Sequence, residues 1–281
     1  RRQRQMCIRD RFIQFGHNDC ANGKGYLEDR YVPLGEPDAN GIYPVTAGTK
    51  VATPSSLASK YGDSFYSYDC GGTYKWYLTQ YIETAREVGA IPVLVTPVSR
   101  LYYTNDGTIK PHHDSTDTTT GTLVTENNAY VEAVKQLAKE QNVLLIDGFE
   151  ITKNMYEEAY KADEKAANGK SVNGTQVMSA GDSTHSNKLG GFITAELFAQ
   201  QIQNMNISLS KAVKSPSRVA GVNPDGQQVF VVDKNGVLTA KAADANGRFT
   251  EDAVYWTTKG QSLLSAISAK SEELNKSENP T

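Results

Sequence analysis

The sequence predicts an α/β protein that is built around a parallel sheet. Residues 91–96 and 143–147 form two runs that are apolar at nearly every position, and an amphipathic helical segment precedes each of them. Runs of this kind are typical of strands that are buried on both faces in a parallel sheet. Because strands and helices alternate at this spacing, we expect successive βαβ units, with ligands bound beyond the carboxyl ends of the strands.

The composition is that of a globular chain with room for one sizeable domain and an appendage. Of its 281 residues, 38% are hydrophobic and 22% are charged. The 29 Lys and Arg residues stand against 32 Asp and Glu residues, for a net charge of -3, so no basic surface for a phosphate backbone is expected. No apolar run reaches the roughly 18 to 20 residues that cross a bilayer. We therefore expect neither a nucleic-acid partner nor a membrane span.

The first strand is expected at residues 12–15, behind a leader. Five arginines stand among residues 1–11, and we interpret that segment as a non-native leader, with a basic arm for an acidic partner as the alternative. The apolar and β-favouring residues 12–15 predict a buried strand that ends at Gly16, where the chain turns. Residues 20–72, rich in Gly, Pro, Asp, Ser and Tyr, are expected to form a long functional loop region.

Apolar stripes at helical spacing predict the first two helices. One is expected at residues 73–88 and is stopped by Gly89, and the other is expected at residues 125–142 with Thr125 as its cap. The side chains predicted to face the core from these helices are Tyr74, Leu78, Tyr81, Ile82, Ala85, Tyr130, Val134, Leu137 and Ala138.

The remaining elements complete the domain and form an appendage. Two further helices are expected at residues 150–167 and 189–204. Residues 211–281 are assigned to a linker and a small appendage. There, residues 228–232 and 237–241 alternate around an Asn-Gly pair, which is a strong hairpin signal, and residues 261–275 are expected to form a helix.

The cysteines and histidines show no spacing that is typical of a metal site, so neither a metal nor another cofactor is expected. Cys7 lies in the leader, and Cys20 and Cys70 either pair across the long loop or remain two free thiols. His112 and His113 lie in a polar, Thr-rich segment. For this pair, a solvated loop is favoured over a metal-binding or catalytic role.

A carboxylate and an imidazole stand three residues apart in Gly-Asp-Ser-Thr-His, residues 181–185. One turn of loop or helix puts Asp182 and His185 on the same face, so that the carboxylate can hold one imidazole nitrogen. A neutral imidazole near pH 7 suits a general base, and the carboxylate fixes its tautomer. The alternative is a loop aspartate that caps a helix starting near Ser186.

Asn18 belongs to the polar run that follows the first strand. A side-chain amide at this end of a sheet can donate a hydrogen bond to the oxyanion that develops in acyl transfer, and one such donor lowers the barrier by about 3 kcal/mol. A turn residue is the alternative. Beside Asp182 and His185, Asn18 favours nucleophilic catalysis.

These residues carry a resemblance to a known family. Phe-Ile-Gln-Phe-Gly-His-Asn-Asp at residues 12–19 resembles the third conserved block of the SGNH (GDSL-type) hydrolases, and Asp-Ser-Thr-His at residues 182–185 resembles their fifth block. Thr-Pro-Val-Ser-Arg at residues 96–100 is similar to a segment of the rhamnogalacturonan acetylesterase-like members. The resemblance covers residues 12–204. It implies a flavodoxin-like three-layer α/β/α fold and removal of acetyl groups from a plant polysaccharide such as pectin.

The resemblance also implies roles for particular residues. Catalysis would use Ser, His and Asp without a metal. Carried over by position, His185 is the base, Asp182 is its orienting acid and Asn18 is an oxyanion donor. Separately from the resemblance, we expect sugar contacts from Gly16, His17, Arg100 and the tyrosines of the long loop, with a structural ion-pair partner as the alternative for Arg100. An esterase or lipase for another acyl ester, and a carbohydrate-binding protein that keeps the fold without its nucleophile, remain open.

One part of the family pattern has no counterpart in this sequence. The family's nucleophile is the Ser of a Gly-Asp-Ser block upstream of the block that contains Asn18, and no such block precedes Phe12. The Gly-Asp-Ser strings that end at Ser64 and Ser183 both follow Asn18, and neither comes after a buried strand and opens a helix. We therefore expect residues 12–210 to be a partial, inactive hydrolase domain that lacks its first two βα units, from a secreted parent whose signal peptide was lost with them.

Overall fold

The computed structural model describes residues 10–20, 31–48, 71–114, 127–162, 182–186, 188–205, 207–213, 220–222, 228–232 and 238–240. The elements in chain order are β1 (Asp10–Gln14), α1 (Tyr74–Glu87), β2 (Ile91–Val95), α2 (Ala129–Gln141), β3 (Leu144–Ile146), α3 (Gly148–Ala162), α4 (Lys188–Asn204), a 3₁₀ helix (Ser208–Lys211), β4 (Ala220–Val222), β5 (Gln228–Val232) and β6 (Leu238–Ala240). Two compact units divide them, Arg1–Val98 with Lys110–Phe149, and Ser99–Ile109 with Glu150–Thr281.

The first unit is built on a three-stranded parallel sheet in the order β1-β2-β3. Phe12 lies opposite Val93, which lies opposite Leu144, and α1 and α2 connect the strands. The predicted α/β fold with a parallel sheet is confirmed. The predicted strand start at residue 12 is wrong, because Asp10 and Arg11 of the supposed leader also pair with β2. Pairing extends the strand beyond its apolar residues, since β2 provides backbone partners along its full length.

Helices α1 and α2 bury the predicted stripes. Leu78, Ile82, Val134 and Leu137 are at most 1% exposed, and burial of each such side chain stabilises the fold by about 1.5–3 kcal/mol. Tyr74 and Tyr130 meet edge to face between the helices, with ring centroids 5.0 Å apart. Their hydroxyls donate to the carbonyls of Phe15 (2.9 Å) and Val32 (2.6 Å), which satisfies the polar end of each buried ring.

Tyr81 departs from the predicted stripe. Its side chain is 48% exposed, and its ring stacks on Phe15 at 4.9 Å instead of packing into the core. Within the described sheet β1 is an edge strand. Tyr81 is therefore exposed in the described part of the chain, although its sequence period is that of a buried position.

A residue with left-handed backbone conformation stands after the first helix and another stands before the second helix. Gly89 follows α1 as predicted and has a φ of +71°, a conformation that glycine adopts without a steric penalty. The predicted start of the second helix at residue 125 is wrong, because α2 begins at Ala129 after Asn128 with a φ of +43°. Asn128 Oδ1 accepts the N–H of His112 at 3.0 Å, so a tertiary contact fixes this end. Thr125 lies outside the described residues.

A buried polar network fixes the start of α3 at the end of β2. Thr96 Oγ1 accepts the N–H of Phe149 at 2.8 Å and donates to Asp147 Oδ1 at 2.9 Å. Asp147 also forms an ion pair with Lys135 at 2.7 Å. Because Thr96 and Asp147 are buried, these hydrogen bonds must be made within the protein. The helix accordingly begins at Gly148, earlier than the predicted residue 150.

The second unit contains α4, the 3₁₀ helix and an antiparallel sheet in the order β4-β5-β6. The predicted hairpin is confirmed, since Phe230 of β5 lies opposite Ala240 of β6. β4 was not predicted, and it pairs with the other side of β5. The helix predicted at residues 261–275 lies outside the described residues. Among the residues that the structure describes, every helix is too short or too polar to cross a membrane.

Candidate active site

A tight turn follows β1 at residues 16–19. Gly16 has a φ of +104°, and a Cβ at this position would lie 2.5 Å from Tyr74 Oη and 3.3 Å from Pro97 Cγ. Its N–H donates to Asp19 Oδ2 at 2.9 Å. Only glycine fits this turn without strain. Because its amide is engaged with Asp19, a substrate contact of Gly16 would involve its carbonyl or Cα.

In this turn, Asn18 is exposed at the surface and Asp19 is partly buried. The Asn18 side chain is exposed, at the carboxyl end of β1 where an oxyanion donor was predicted. Burial raises the pKa of Asp19 above its ordinary value of 3.8, although hydrogen bonds from nearby backbone amides oppose the shift. The signal for Asp19 was its spacing of three from Gly16, from which an acidic side chain can reach back to a backbone N–H.

His17 packs against a segment that was predicted to be solvated. Its ring centroid lies 5.2 Å from that of His113. His113 is 0% exposed, and its Nε2 donates to the Val98 carbonyl at 2.8 Å; since a carbonyl only accepts, that nitrogen carries the proton. The N–H groups of His112 and His113 both point to Asn128 Oδ1, at 3.0 and 3.3 Å. The predicted solvated loop is therefore wrong for His113, which long-range hydrogen bonds hold inside the first unit.

The described part of this region shows no metal site. No group of three or more His, Cys, Asp or Glu side chains among the described residues could hold a metal ion. Cys20 Sγ lies 3.9 Å from the His112 carbonyl. Cys70, its partner in one of the two alternatives, lies outside the described residues, as does Ser64.

In the second unit, the predicted pair is formed. His185 Nδ1 lies 2.8 Å from Asp182 Oδ2, and because a carboxylate only accepts, Nδ1 carries the proton and Nε2 is left to act as a base. Asp182 Oδ1 accepts the N–H groups of Thr184 and His185, each at 2.7 Å. The hydrogen bond from the His185 side chain, followed by those two amides, lowers the pKa of Asp182 to about 2. Since α4 begins at Lys188, Asp182 closes its own loop and does not cap the helix.

Arg100 lies beside the same loop. Its Nη1 donates to Thr184 Oγ1 at 3.1 Å, and its guanidinium carbon lies 6.0 Å from the centre of the Tyr102 ring. The N–H of Leu101 donates to the Ser183 carbonyl at 2.9 Å. The structure therefore joins Arg100 to the Asp182–His185 loop, within one unit.

The predicted site residues are divided between the two units. Gly16, His17 and Asn18 belong to the first unit, whereas Arg100, Asp182 and His185 belong to the second. The sequence did not indicate the parts played by Thr184, Leu101 and His113, because their partners lie far away along the chain. A carboxylate that orients an exposed histidine forms two of the three parts of a serine-type catalytic triad.

Two curated proteins of Bacillus subtilis (strain 168) match the chain. It is 36% identical over 143 residues to a probable rhamnogalacturonan acetylesterase, YesY. The matched region covers 50% of this chain and 55% of YesY. It is 32% identical over 141 residues to the rhamnogalacturonan acetylesterase RhgT. The matched region covers 49% of this chain and 54% of RhgT. The chain thus spans about half the length of the curated relatives it matches. No family model matches the chain, and neither does any solved structure.

These relatives bear out the resemblance that the motifs carry. Both are named as rhamnogalacturonan acetylesterases, and the resemblance to the rhamnogalacturonan acetylesterase-like SGNH hydrolases is confirmed.

Proposed function

We propose that this chain carries the base, the orienting acid and one oxyanion donor of an esterase that removes O-acetyl groups from rhamnogalacturonan-type pectin. The observation that carries the proposal is the hydrogen bond between His185 Nδ1 and Asp182 Oδ2, at 2.8 Å. The names of the two relatives support the choice of substrate. The reaction requires a nucleophilic serine, which the family pattern places before the block that contains Asn18, and the enzyme is proposed to act outside the cell on its polymeric substrate.

In this mechanism His185 Nε2 takes the proton of the serine hydroxyl as its oxygen attacks the acetyl carbonyl carbon. Asp182 accepts the hydrogen bond from Nδ1–H throughout and stays ionised, so it holds the productive tautomer and stabilises the imidazolium. The resulting oxyanion requires a hydrogen-bond donor, and the side-chain amide of Asn18 is the candidate that the family pattern gives for this role. When the carbon–oxygen bond to the sugar breaks, His185 returns the proton to the sugar oxygen. A water molecule, activated by His185, then hydrolyses the acetyl-serine and releases acetate.

The exposure of the pair suits a polymeric substrate. The side chain of His185 is 73% exposed and that of Asp182 is 51% exposed, so an acetylated chain can approach without entering a deep cavity. His17 lies next to Asn18 in the turn after β1 and is half-buried, which leaves part of its ring for contact with a sugar.

The test is acetate release from acetylated rhamnogalacturonan by the chain extended with its in-frame upstream sequence. We expect acetate from the polymer and no release from the 281-residue chain alone. Faster hydrolysis of a p-nitrophenyl ester with a longer acyl chain than of the acetylated polymer would instead indicate an esterase for another acyl ester. Binding of the polymer without release of acetate from the extended protein would indicate a carbohydrate-binding protein.

A further inference from the structure

The Asp182–His185 loop has little packing to hold its shape. With side-chain exposures of 51% and 73% for Asp182 and His185, burial of apolar surface contributes little to fixing the pair. Its geometry must then come from hydrogen bonds. Within the loop, the N–H groups of Thr184 and His185 donate to Asp182 Oδ1. These two hydrogen bonds fix the internal shape of the loop but do not attach it to another element.

Contacts from residues 100 and 101 attach this loop to the rest of the second unit. Arg100 Nη1 donates to Thr184 Oγ1 at 3.1 Å. The N–H of Leu101 donates to the carbonyl of Ser183 at 2.9 Å. One contact is made by a side chain and the other by the backbone, and they reach adjacent residues between Asp182 and His185.

The segment that makes these contacts is itself fixed to α3. The N–H of Ser99 donates to Thr152 Oγ1 at 2.8 Å, in a fully buried hydrogen bond. Further along, Tyr103 Oη donates to the Tyr156 carbonyl at 2.7 Å, and the N–H of Ile109 donates to a carboxylate oxygen on the same helix at 2.9 Å. Arg100 therefore extends from a segment that is anchored at both ends, as a positioning contact requires.

We infer that Arg100 is a positioning residue, which holds the Asp182–His185 pair in its productive geometry through Thr184 and does not contact the sugar. Leu101 supports it through its backbone amide. The inference rests on the proposed function in treating the pair as catalytic. It replaces the predicted substrate contact of Arg100, because its guanidinium is engaged by Thr184 and by the Tyr102 ring.

The test measures solvent exchange of the backbone amides of Thr184 and His185 by NMR, in Arg100→Ala, Thr184→Val and the double variant of the 281-residue chain. Loss of one charge-assisted hydrogen bond is expected to speed exchange at these amides about threefold to tenfold in each single variant. The double variant should exchange no faster than either single one, because both remove the same contact. Thr184→Ser, which keeps the hydroxyl, should exchange like the wild type.

Arg86→Ala is the matched control, since Arg86 is an exposed arginine that bonds Gln141 in the first unit. A general loss of stability would speed exchange throughout the chain, whereas the positioning role affects the loop selectively. Unchanged exchange at Thr184 and His185 in Arg100→Ala would overturn the inference, as would weakened binding of rhamnogalacturonan oligosaccharides with an unaltered loop. If Arg100→Ala fails to fold, Thr184→Val and Thr184→Ser decide the question. Because no turnover is measured, a failure here is distinct from absence of esterase activity.

Discussion

Asp182 accepts hydrogen bonds from both the side chain and the backbone N–H of His185. Its Oδ2 lies 2.8 Å from His185 Nδ1, and its Oδ1 lies 2.7 Å from His185 N. The carboxylate therefore fixes where the residue lies and also how its ring is turned. Two constraints on one histidine are what a general base needs when it is exposed to solvent and lacks support from packing.

The first prediction concerns the response of this loop to acid. The pKa of Asp182 is lowered to about 2 from an ordinary value of 3.8. A carboxylate whose pKa is lowered by folding stabilises the structure above its unfolded pKa, and that contribution is lost as the pH falls through the folded one. The loop should therefore stay intact at pH 4 and above and open as the pH falls towards about 2. Amide chemical shifts of Thr184 and His185 followed against pH would show this, and a midpoint near the ordinary value would contradict it.

The second prediction concerns the turn after β1. Gly16→Ala should lower the free energy of unfolding by about 2 kcal/mol or more, because it adds a clash with Tyr74 to a strained backbone conformation. Gly41→Ala is the control, since Gly41 has a φ of +77° with nothing within 4 Å of its Cβ position. The control should cost only about 1 to 2 kcal/mol for the conformation itself. Equal losses in denaturant titrations of the two variants would show that the contact with Tyr74 is not restrictive.

The third prediction concerns Asp19. Burial raises its pKa, so the folded state binds its proton more tightly than the unfolded state does. Its contribution to stability is therefore fully present below the unfolded pKa and is lost as the pH rises through the folded one. Asp19→Asn should remove this dependence and match or exceed the melting temperature of the wild type at pH 7. A variant that melts well below the wild type at pH 7, with an unchanged pH dependence, would show that the charged form is favoured.

Local pattern was sufficient to predict much of the fold. The core positions of α1 and α2, the end of α1 before Gly89, the parallel strands and the hairpin of β5 and β6 all follow from residues that are near in sequence. The pairing of Asp182 with His185 was predictable for the same reason, because both residues lie on one short loop.

What could not be predicted depends on residues that are distant in sequence. Arg100 and Thr184 are 84 residues apart, and nothing near either position indicates the other. His113 is buried although its neighbours in sequence are polar. Asn128 and Val98 accept hydrogen bonds from its backbone and ring N–H groups, so these groups need no water. Tyr81 shows the opposite case, since its helical period is that of a core position while its ring stacks on Phe15 at the surface.

The most direct measurement is acetate release from acetylated rhamnogalacturonan by the extended protein and its Asp182→Asn and His185→Ala variants. Asp38→Asn is the matched control, because Asp38 Oδ1 likewise accepts two backbone amides, from Asn40 and Ile42. The account predicts a fall in kcat of about 10³-fold or more in both site variants and little change in the control. Acetate release that survives His185→Ala undiminished would contradict it.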